Sequence, residues 1–401
     1  MEVRIAQLKE HLKERVGCQD GDIRVVYAPL RISPLGAHVD HQDGLVTGMT
    51  LDQVILLAFV PRSDRRVRVE SLNFHGLTEF DLADIPPKSA RDWGNYVRGA
   101  ALALQQAHPL RVGLDAVVAG SMPIGGLSSS AAVGVAYLLA LETANDLSIS
   151  PEENIQLDRY IENVYLGLRN GVLDQSIILM SEHDALTYLD CQSMTFEKAP
   201  MPQGKTDFEI LVVYSGVGQS LVGTDYNNRV NECQEAARQL LTWAGQSVPE
   251  NPRLRMVPED IYVELGARLP APLDRRARHF FTEVRRVREG VTAWREGDVA
   301  RLGQLMRESG ASSVYNYESG CPQLITLYNI LSECPGVYGA RFSGGGFRGS
   351  CLGLSDPAYR EEILATLAAR YPQAHPEIAE TYSVHFCKSD GPARVLNGRI
   401  H

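Results

Sequence analysis

The stretch Pro123-Ile-Gly-Gly-Leu-Ser-Ser-Ser-Ala-Ala132 runs directly into Val133–Ala144, a segment of mostly small and apolar residues. Glycines that feed serines into a helix start aim several backbone N–H groups, and the positive end of the helix dipole, at one point. Such a point suits a phosphate. A serine N-cap after a glycine turn would use the same residues with no ligand at all. Two further segments weigh on the choice.

The first is Ala28-Pro-Leu-Arg-Ile-Ser-Pro-Leu-Gly-Ala-His-Val-Asp-His-Gln-Asp-Gly44. It follows Ile23–Tyr27, an apolar run that predicts a strand. Two prolines and two glycines then exclude regular structure, so Arg31, His38, Asp40 and His41 are displayed from an irregular loop. Such a loop is either a binding loop or a solvated surface loop. The second segment is Gly339-Ala-Arg-Phe-Ser-Gly-Gly-Gly-Phe-Arg-Gly349, with five glycines in eleven residues. Framed by strand-like ends, it permits positive φ and close approach of backbone to a ligand. A plain hairpin turn is the weaker reading.

With these segments in hand, the chain resembles the sugar kinases of the GHMP group, galactokinases most of all. Arg31, Gly36, His38, Asp40 and Gly44 stand where the galactokinase signature has them. Gly126–Ala132 resembles the ATP-phosphate motif, and Ser343–Phe347 the third motif. Asn170-Gly-Val-Leu-Asp-Gln175 resembles the segment that carries the base. The resemblance extends from about Val25 to Leu354 and is narrower at three places, 31–42, 132–141 and 167–175, which look like the galacturonokinases of plants. Ala37 is the informative departure. Galactokinases carry a glutamate there that accepts a hydrogen bond from the sugar's C6 hydroxyl. Opposite a C6 carboxylate it would cost on the order of 4 kcal/mol in a partly dry pocket. Alanine removes the repulsion.

The resemblance implies an α+β, two-lobed GHMP kinase fold with mixed β-sheets and the active site in the cleft between lobes. The division is expected at 200–210, where Pro200, Pro202 and Gly204 break the pattern, giving lobes 1–205 and 206–401. It also implies an ATP-dependent sugar 1-kinase that phosphorylates the anomeric hydroxyl of galacturonate, with Asp174 as base and Arg31 as the catalytic arginine. Gly125, Gly126, Leu127, Ser128, Ser129, Ser130, Gly344 and Gly345 would hold ATP, and Ser130 and Glu162 a Mg²⁺ ion. Ala37, His38, Asp40, His41 and Tyr226 would surround the sugar. For its carboxylate the candidates are Arg98, Arg169 and Arg229, with Arg169 preferred for its nearness to Asp174. Two departures from the family pattern bear on ATP: the loop Pro123–Leu127 is one residue short, and Arg348 replaces a glycine. A galactokinase, an arabinokinase or a non-catalytic sugar sensor remain alternatives.

Composition agrees. A chain of 401 residues with 44% hydrophobic and 22% charged content is ordinary for a globular enzyme. A formal charge of −10 argues against nucleic acid, and means that local arginines must draw an anionic sugar. Seven cysteines with no C-x-x-C pair read as reduced thiols of a cytoplasmic protein with no zinc site. Neither a leader segment nor a membrane span is expected, and the oligomeric state is open. Strands are further expected at 55–60, 67–72, 114–119, 186–189, 210–214 and 382–387. Helices are expected at 95–106, 128–145, 151–165, 227–244, 274–296, 297–309 and 357–370.

Overall fold

Strand β1 (Arg24–Ile32) pairs antiparallel with the 17-residue strand β2 (Leu45–Pro61), and both are buried along nearly their whole length. Continuous apolar runs suit strands covered on both faces. Sequence periodicity locates only part of each, because the flanking residues of the loop at 33–44 are strand by pairing, not by pattern. This computed structural model describes residues 1–90, 92–122, 126–202, 204, 208–218 and 225–396.

Three more strands, β3 (Arg66–Ser71), β4 (Leu77–Asp81) and β5 (Leu114–Gly120), extend the sheet. β3 and β5 run parallel, while β2 and β5 are antiparallel, so the sheet is mixed. The hairpin of β6 (Ala185–Asp190) and β7 (Thr195–Pro200) continues from the first residues of β2. Among its helices, α1 (Glu2–Val16) buries Ile5, Leu8 and Leu12. α2 (Asn95–Gln105) and α3 (Ser129–Ala144) follow. α3 is apolar on nearly every side, as a helix packed all round must be.

α4 (Pro151–Arg159) starts with Pro151 at its first position and the Ser150 side chain accepting from Glu153 N. That pairing satisfies an otherwise orphaned donor. The helix expected to run to 165 changes at Tyr160 into a π-helical turn, Tyr160–Leu166, closed by Gly167 at φ 80°. Such turns place one residue out of the α-helical phase and recur at functional sites. α5 (Leu173–Met180) follows.

The second sheet is antiparallel, in the order β11 (Ser383–Cys387), β8 (Glu209–Tyr214), β10 (Ser350–Ser355), β9 (Val337–Phe342). Around it lie α6 (Tyr226–Trp243), α7 (Glu259–Leu265), α8 (Leu273–Glu296), α9 (Val299–Ser312), α10 (Pro322–Glu333) and α11 (Arg360–Ala374). α10 is not anticipated from the pattern. Neither are β12 (Ser389–Asp390) and β13 (Arg394–Leu396), which carry the chain back to pair with β2 and β1. Their hold is polar and aromatic. The Thr50 hydroxyl donates to Asp390 O at 2.6 Å, and Arg394 covers the Tyr27 ring at 4.1 Å.

One contact fixes where β9 delivers the glycine-rich loop. Gly303 of α9 and Gly339 of β9 meet backbone to backbone, and a Cβ on Gly339 would lie 1.8 Å from Gly303 O. Neither backbone can move aside without breaking helix or sheet. Gly339→Ala is therefore expected to destabilise the protein by about 2 kcal/mol or more, read as a lower urea midpoint. An unchanged midpoint would show that α9 and β9 can part freely.

Candidate active site

Arg31 lies at the end of β1, 2% exposed, and reaches Asp174 in the first turn of α5. Its Nε donates to Asp174 Oδ1 at 2.9 Å, and Nη2 donates to the same oxygen. Its Nη1 is buried with no partner. Asp174 Oδ2 is thus free of Arg31, and one guanidinium donor is unspent. Arg31 and Asp174 both line one cleft.

Opposite them stands the loop after β1. His38 holds a left-handed backbone, φ 56°, and its ring stacks on Tyr317 with centroids 4.1 Å apart. Asp40 accepts from the backbone of His41 and Leu173. It abuts Gly171, where any side chain would collide with the carboxylate. Burial, then the charge of Asp174, pushes Asp40 up to about 6. The loop is itself held from behind. Glu283 Oε1 on α8 accepts from Gly36 N at 2.8 Å, Ala37 N at 2.9 Å and the Ser309 hydroxyl at 2.7 Å. One turn earlier, His279 Nε2 meets Ala37 O at 2.7 Å.

The two glycine-bearing segments converge on the same cleft. Gly126 and Gly344 approach so closely that a Cβ on Gly344 would sit 3.0 Å from Gly126. Leu127 O accepts from Arg31 N at 3.3 Å, which ties the loop to β1. Ser128 adopts φ 56° and α3 starts at Ser129, so the helix N-terminus points where the serines are.

The structure gathers Arg31, Ala37, His38, Asp40, Ser130, Asp174, Tyr226, Gly344 and Gly345 around the cleft. Gly126 and Leu127 adjoin it through the contacts above and Ser128 and Ser129 follow them in the chain, but none of the four is in its wall; Gly125 lies outside the described residues. Two of the residues expected around the sugar stand elsewhere. His41 is buried behind the wall, its Nε2 3.0 Å from the Tyr317 hydroxyl and its Nδ1 2.9 Å from Gln42 Nε2. Burial, with the Arg253 charge, pulls it down to about 3, so it is neutral. Arg169 is exposed and turned to Asn231 and Gln234 of α6, because those amides offer it partners outside the cleft. Arg98 is taken by Asp92 and Arg229 by Glu232.

Glu162 sits in the π-helical turn, 1% exposed, with the Asn170 amide on Oε2, the Ser130 hydroxyl facing it, and Oε1 buried without a hydrogen-bond partner. Burial, then Asp174, raises it to about 7. One carboxylate and one hydroxyl beside a phosphate loop match a magnesium ion that takes its remaining ligands from phosphate and water. Among the described residues no group of three or more histidine, cysteine or acidic side chains could hold a metal. Sequence reasoning passed over Asn170, Arg341, Glu283 and Asp158. Only Arg341 carried a signal, as a lone charge in an apolar strand. The other three act through tertiary contacts.

The chain matches the GHMP kinase N-terminal domain over residues 95–182 and the GHMP kinase C-terminal domain over 290–373. A galacturonokinase of Arabidopsis thaliana is 45% identical across 97% of this chain and 97% of its own. A galactokinase of Roseiflexus sp. (strain RS-1) is 34% identical across 98% and 97%. The crystal structure of Lactococcus lactis galactokinase complexed with galactose matches with a TM-score of 0.88 and 25% identity, over 97% of this chain and 99% of that one. Methanococcus jannaschii mevalonate kinase, at 14% identity and a TM-score of 0.63 over 91% of this chain and 98% of its own, shares the fold.

Asp158, one turn before Glu162, is fully buried with neither oxygen partnered. Burial, then Glu162 and Asp174, raises it well above the usual range. A raised native value favours the fold below the unfolded value near 4 and loses that advantage as pH rises through the native value. Asp158→Asn removes the loss. Its unfolding free energy relative to wild type, read from urea midpoints, should rise steadily from pH 4 to 8, by about 1.4 kcal/mol per pH unit at most. A pH-independent difference would mean that Asp158 is ionised in the fold.

Proposed function

The chain belongs to the GHMP kinases, as a galactokinase-like sugar kinase, and we propose that it phosphorylates D-galacturonate at the anomeric hydroxyl, using ATP. The observation that carries the substrate is Ala37 in the wall of the cleft, supported by full-length similarity to a galacturonokinase. A methyl group there leaves room and no negative charge where a C6 carboxylate must lie.

The chemistry follows from the free atoms. The C1 hydroxyl oxygen attacks the γ-phosphorus, its proton passes to Asp174 Oδ2, and the bond from the γ-phosphorus to the β–γ bridging oxygen breaks to release ADP. Arg31 holds Asp174 in place through Oδ1, while its unspent Nη1 meets the charge on the transferring group. Asp40 and His38 orient ring hydroxyls, with Tyr226 closing the same wall. Backbone and hydroxyls of Gly125–Ser130, with Gly344 and Gly345, hold the β- and γ-phosphates. Ser130 and Glu162 would hold Mg²⁺, which when bound neutralises phosphate charge.

Asp174→Asn and Arg31→Ala are each expected to lower kcat by at least about 100-fold with sugar binding retained, measured by coupled assay and calorimetry. Near-normal turnover in either variant removes that residue from the reaction. Ala37→Glu tests the substrate. It should cut kcat/KM on galacturonate by about 2 kcal/mol or more, while galactose gains relative to it. Retained galacturonate activity would show that position 37 does not face C6.

A further inference from the structure

His38 lines the cleft, and three contacts hold its ring. Tyr317, at the end of a π-helical turn over Ser313–Tyr317, lies flat against one face, with centroids 4.1 Å apart and an interplanar angle of 1°. Gly346 of the glycine-rich loop covers one edge, where a Cβ would lie 3.0 Å from Cε1 and 3.1 Å from Nε2. The Ser319 hydroxyl closes the same edge, 3.2 Å from Nε2. Among the described residues the ring nitrogens have no other hydrogen-bond partner, so Nδ1 is the one left to a ligand.

Tyr317 is itself held by a chain of hydrogen bonds whose direction is fixed. Leu254 N donates to Gln42 Oε1 at 3.0 Å, which identifies the amide oxygen and makes Nε2 the donor. Nε2 donates to His41 Nδ1 at 2.9 Å and to His41 O at 3.2 Å. Neutral His41 therefore carries its proton on Nε2 and donates it to the Tyr317 hydroxyl at 3.0 Å. The stacked face of His38 is thus anchored. Only the placement of its own proton remains, and that falls to Ser319.

Ser319 Oγ lies 3.2 Å from His38 Nε2 and 3.2 Å from Ser313 O, with one hydrogen to give. Ser313 O already accepts the backbone N–H groups of Glu318 and of Ser319, the latter at 3.0 Å. Those two fill its lone pairs, so the hydroxyl hydrogen goes to Nε2. Burial pulls His38 well below its ordinary range, so the ring is neutral and holds a single proton. That proton sits on Nδ1.

We infer that Ser319 fixes His38 as the Nδ1–H tautomer, so that the ring donates a hydrogen bond to an oxygen of the bound sugar. Ser319 is not in the cleft wall and acts through the ring. The inference rests on the reading of the cleft as a sugar site. It gives Asp40 and His38 opposite tasks, the ionised carboxylate accepting and the imidazole donating. A ring hydroxyl can give its hydrogen to one and take a hydrogen from the other, whereas a carboxylate oxygen can only take one. With its proton on Nε2, His38 would meet the sugar as an acceptor and could not serve a carboxylate.

The test reads tautomer and kinetics separately. Nitrogen NMR of the full-length protein with isotope-labelled histidines, the His38 signals being assigned by their loss in His38→Gln, should show a protonated Nδ1 and a bare Nε2 in the wild type. Ser319→Ala should move the proton towards Nε2. It should raise KM for galacturonate about 5- to 10-fold, the effect of losing one hydrogen bond, with kcat and KM for ATP within about twofold of wild type. Ser319→Thr keeps the hydroxyl and should preserve both readouts. A wild-type His38 protonated at Nε2, or at both nitrogens, overturns the inference. So does an S319A variant whose sugar KM is unchanged, or whose kcat and ATP KM worsen alike, since that describes a serine that only supports the turn. Should S319A fail to fold, read by circular dichroism, the wild-type spectrum decides alone. Wild type that phosphorylates galactose and not galacturonate overturns the substrate reading, and the KM comparison is then read on galactose.

Discussion

The ion pair between Arg31 and Asp174 is the constraint around which this cleft is organised. Arg31 is almost wholly buried at the end of β1, and no solvent can replace its partner. Breaking a buried pair leaves one charge stranded, at a cost of several kcal/mol. The pair therefore fixes the start of α5 against the first sheet. With α5 come Gly171 and the Leu173 N–H that accommodate Asp40, and the loop whose Asn170 reaches Glu162. Four carboxyl groups, Asp40, Asp158, Glu162 and Asp174, share one small volume. Burial and mutual repulsion raise the first three. Arg31 is the cation that sits against Asp174 among them, bonded to its Oδ1 and leaving Oδ2 free.

A second layer of support comes from α8, distant in sequence from everything it holds. Glu283 collects two consecutive loop amides and a hydroxyl on one oxygen. Burial pushes its carboxyl upward, but Arg286, His279 and Arg341 hold it below the ordinary range. His279 takes the next carbonyl, and burial lowers it to about 4. The pair sits one helical turn apart, so a single rigid helix face sets Gly36, Ala37 and, through Ala37, the strained backbone of His38. Precision on this side of the cleft is thus borrowed from a helix and not from the loop itself.

Close backbone approach does the rest. Gly303 against Gly339 seats β9, and Gly126 against Gly344 brings the serine-bearing loop onto the glycine-rich one. Two loops far apart in the chain become neighbouring walls because neither carries a side chain at the crossing. The same arrangement makes Arg341 a cleft residue, since β9 enters the cleft just before its glycines.

The sequence by itself determined the kinase family, most of the strands and helices, and many of the residues that meet in the cleft. Those residues lie in short motifs whose chemistry is local: glycines before serines at a helix start, charged groups on a loop fixed by proline. Only tertiary structure decided which polar residues are free to act. His41 and Arg169 carry the right chemistry, yet Tyr317 and Gln42 bury the one and the amides of α6 hold the other outside. Arg341, Asn170 and Glu283 gain their roles from partners 308, 8 and 247 residues away in sequence. No periodicity records such pairings. Even the π-helical turn that presents Glu162 reads as ordinary helix, because apolar spacing cannot show one extra residue in a turn whose far side is solvent. Side-chain chemistry is written in the sequence, whereas the state of each group depends on burial and charge, which exist only once the chain has folded.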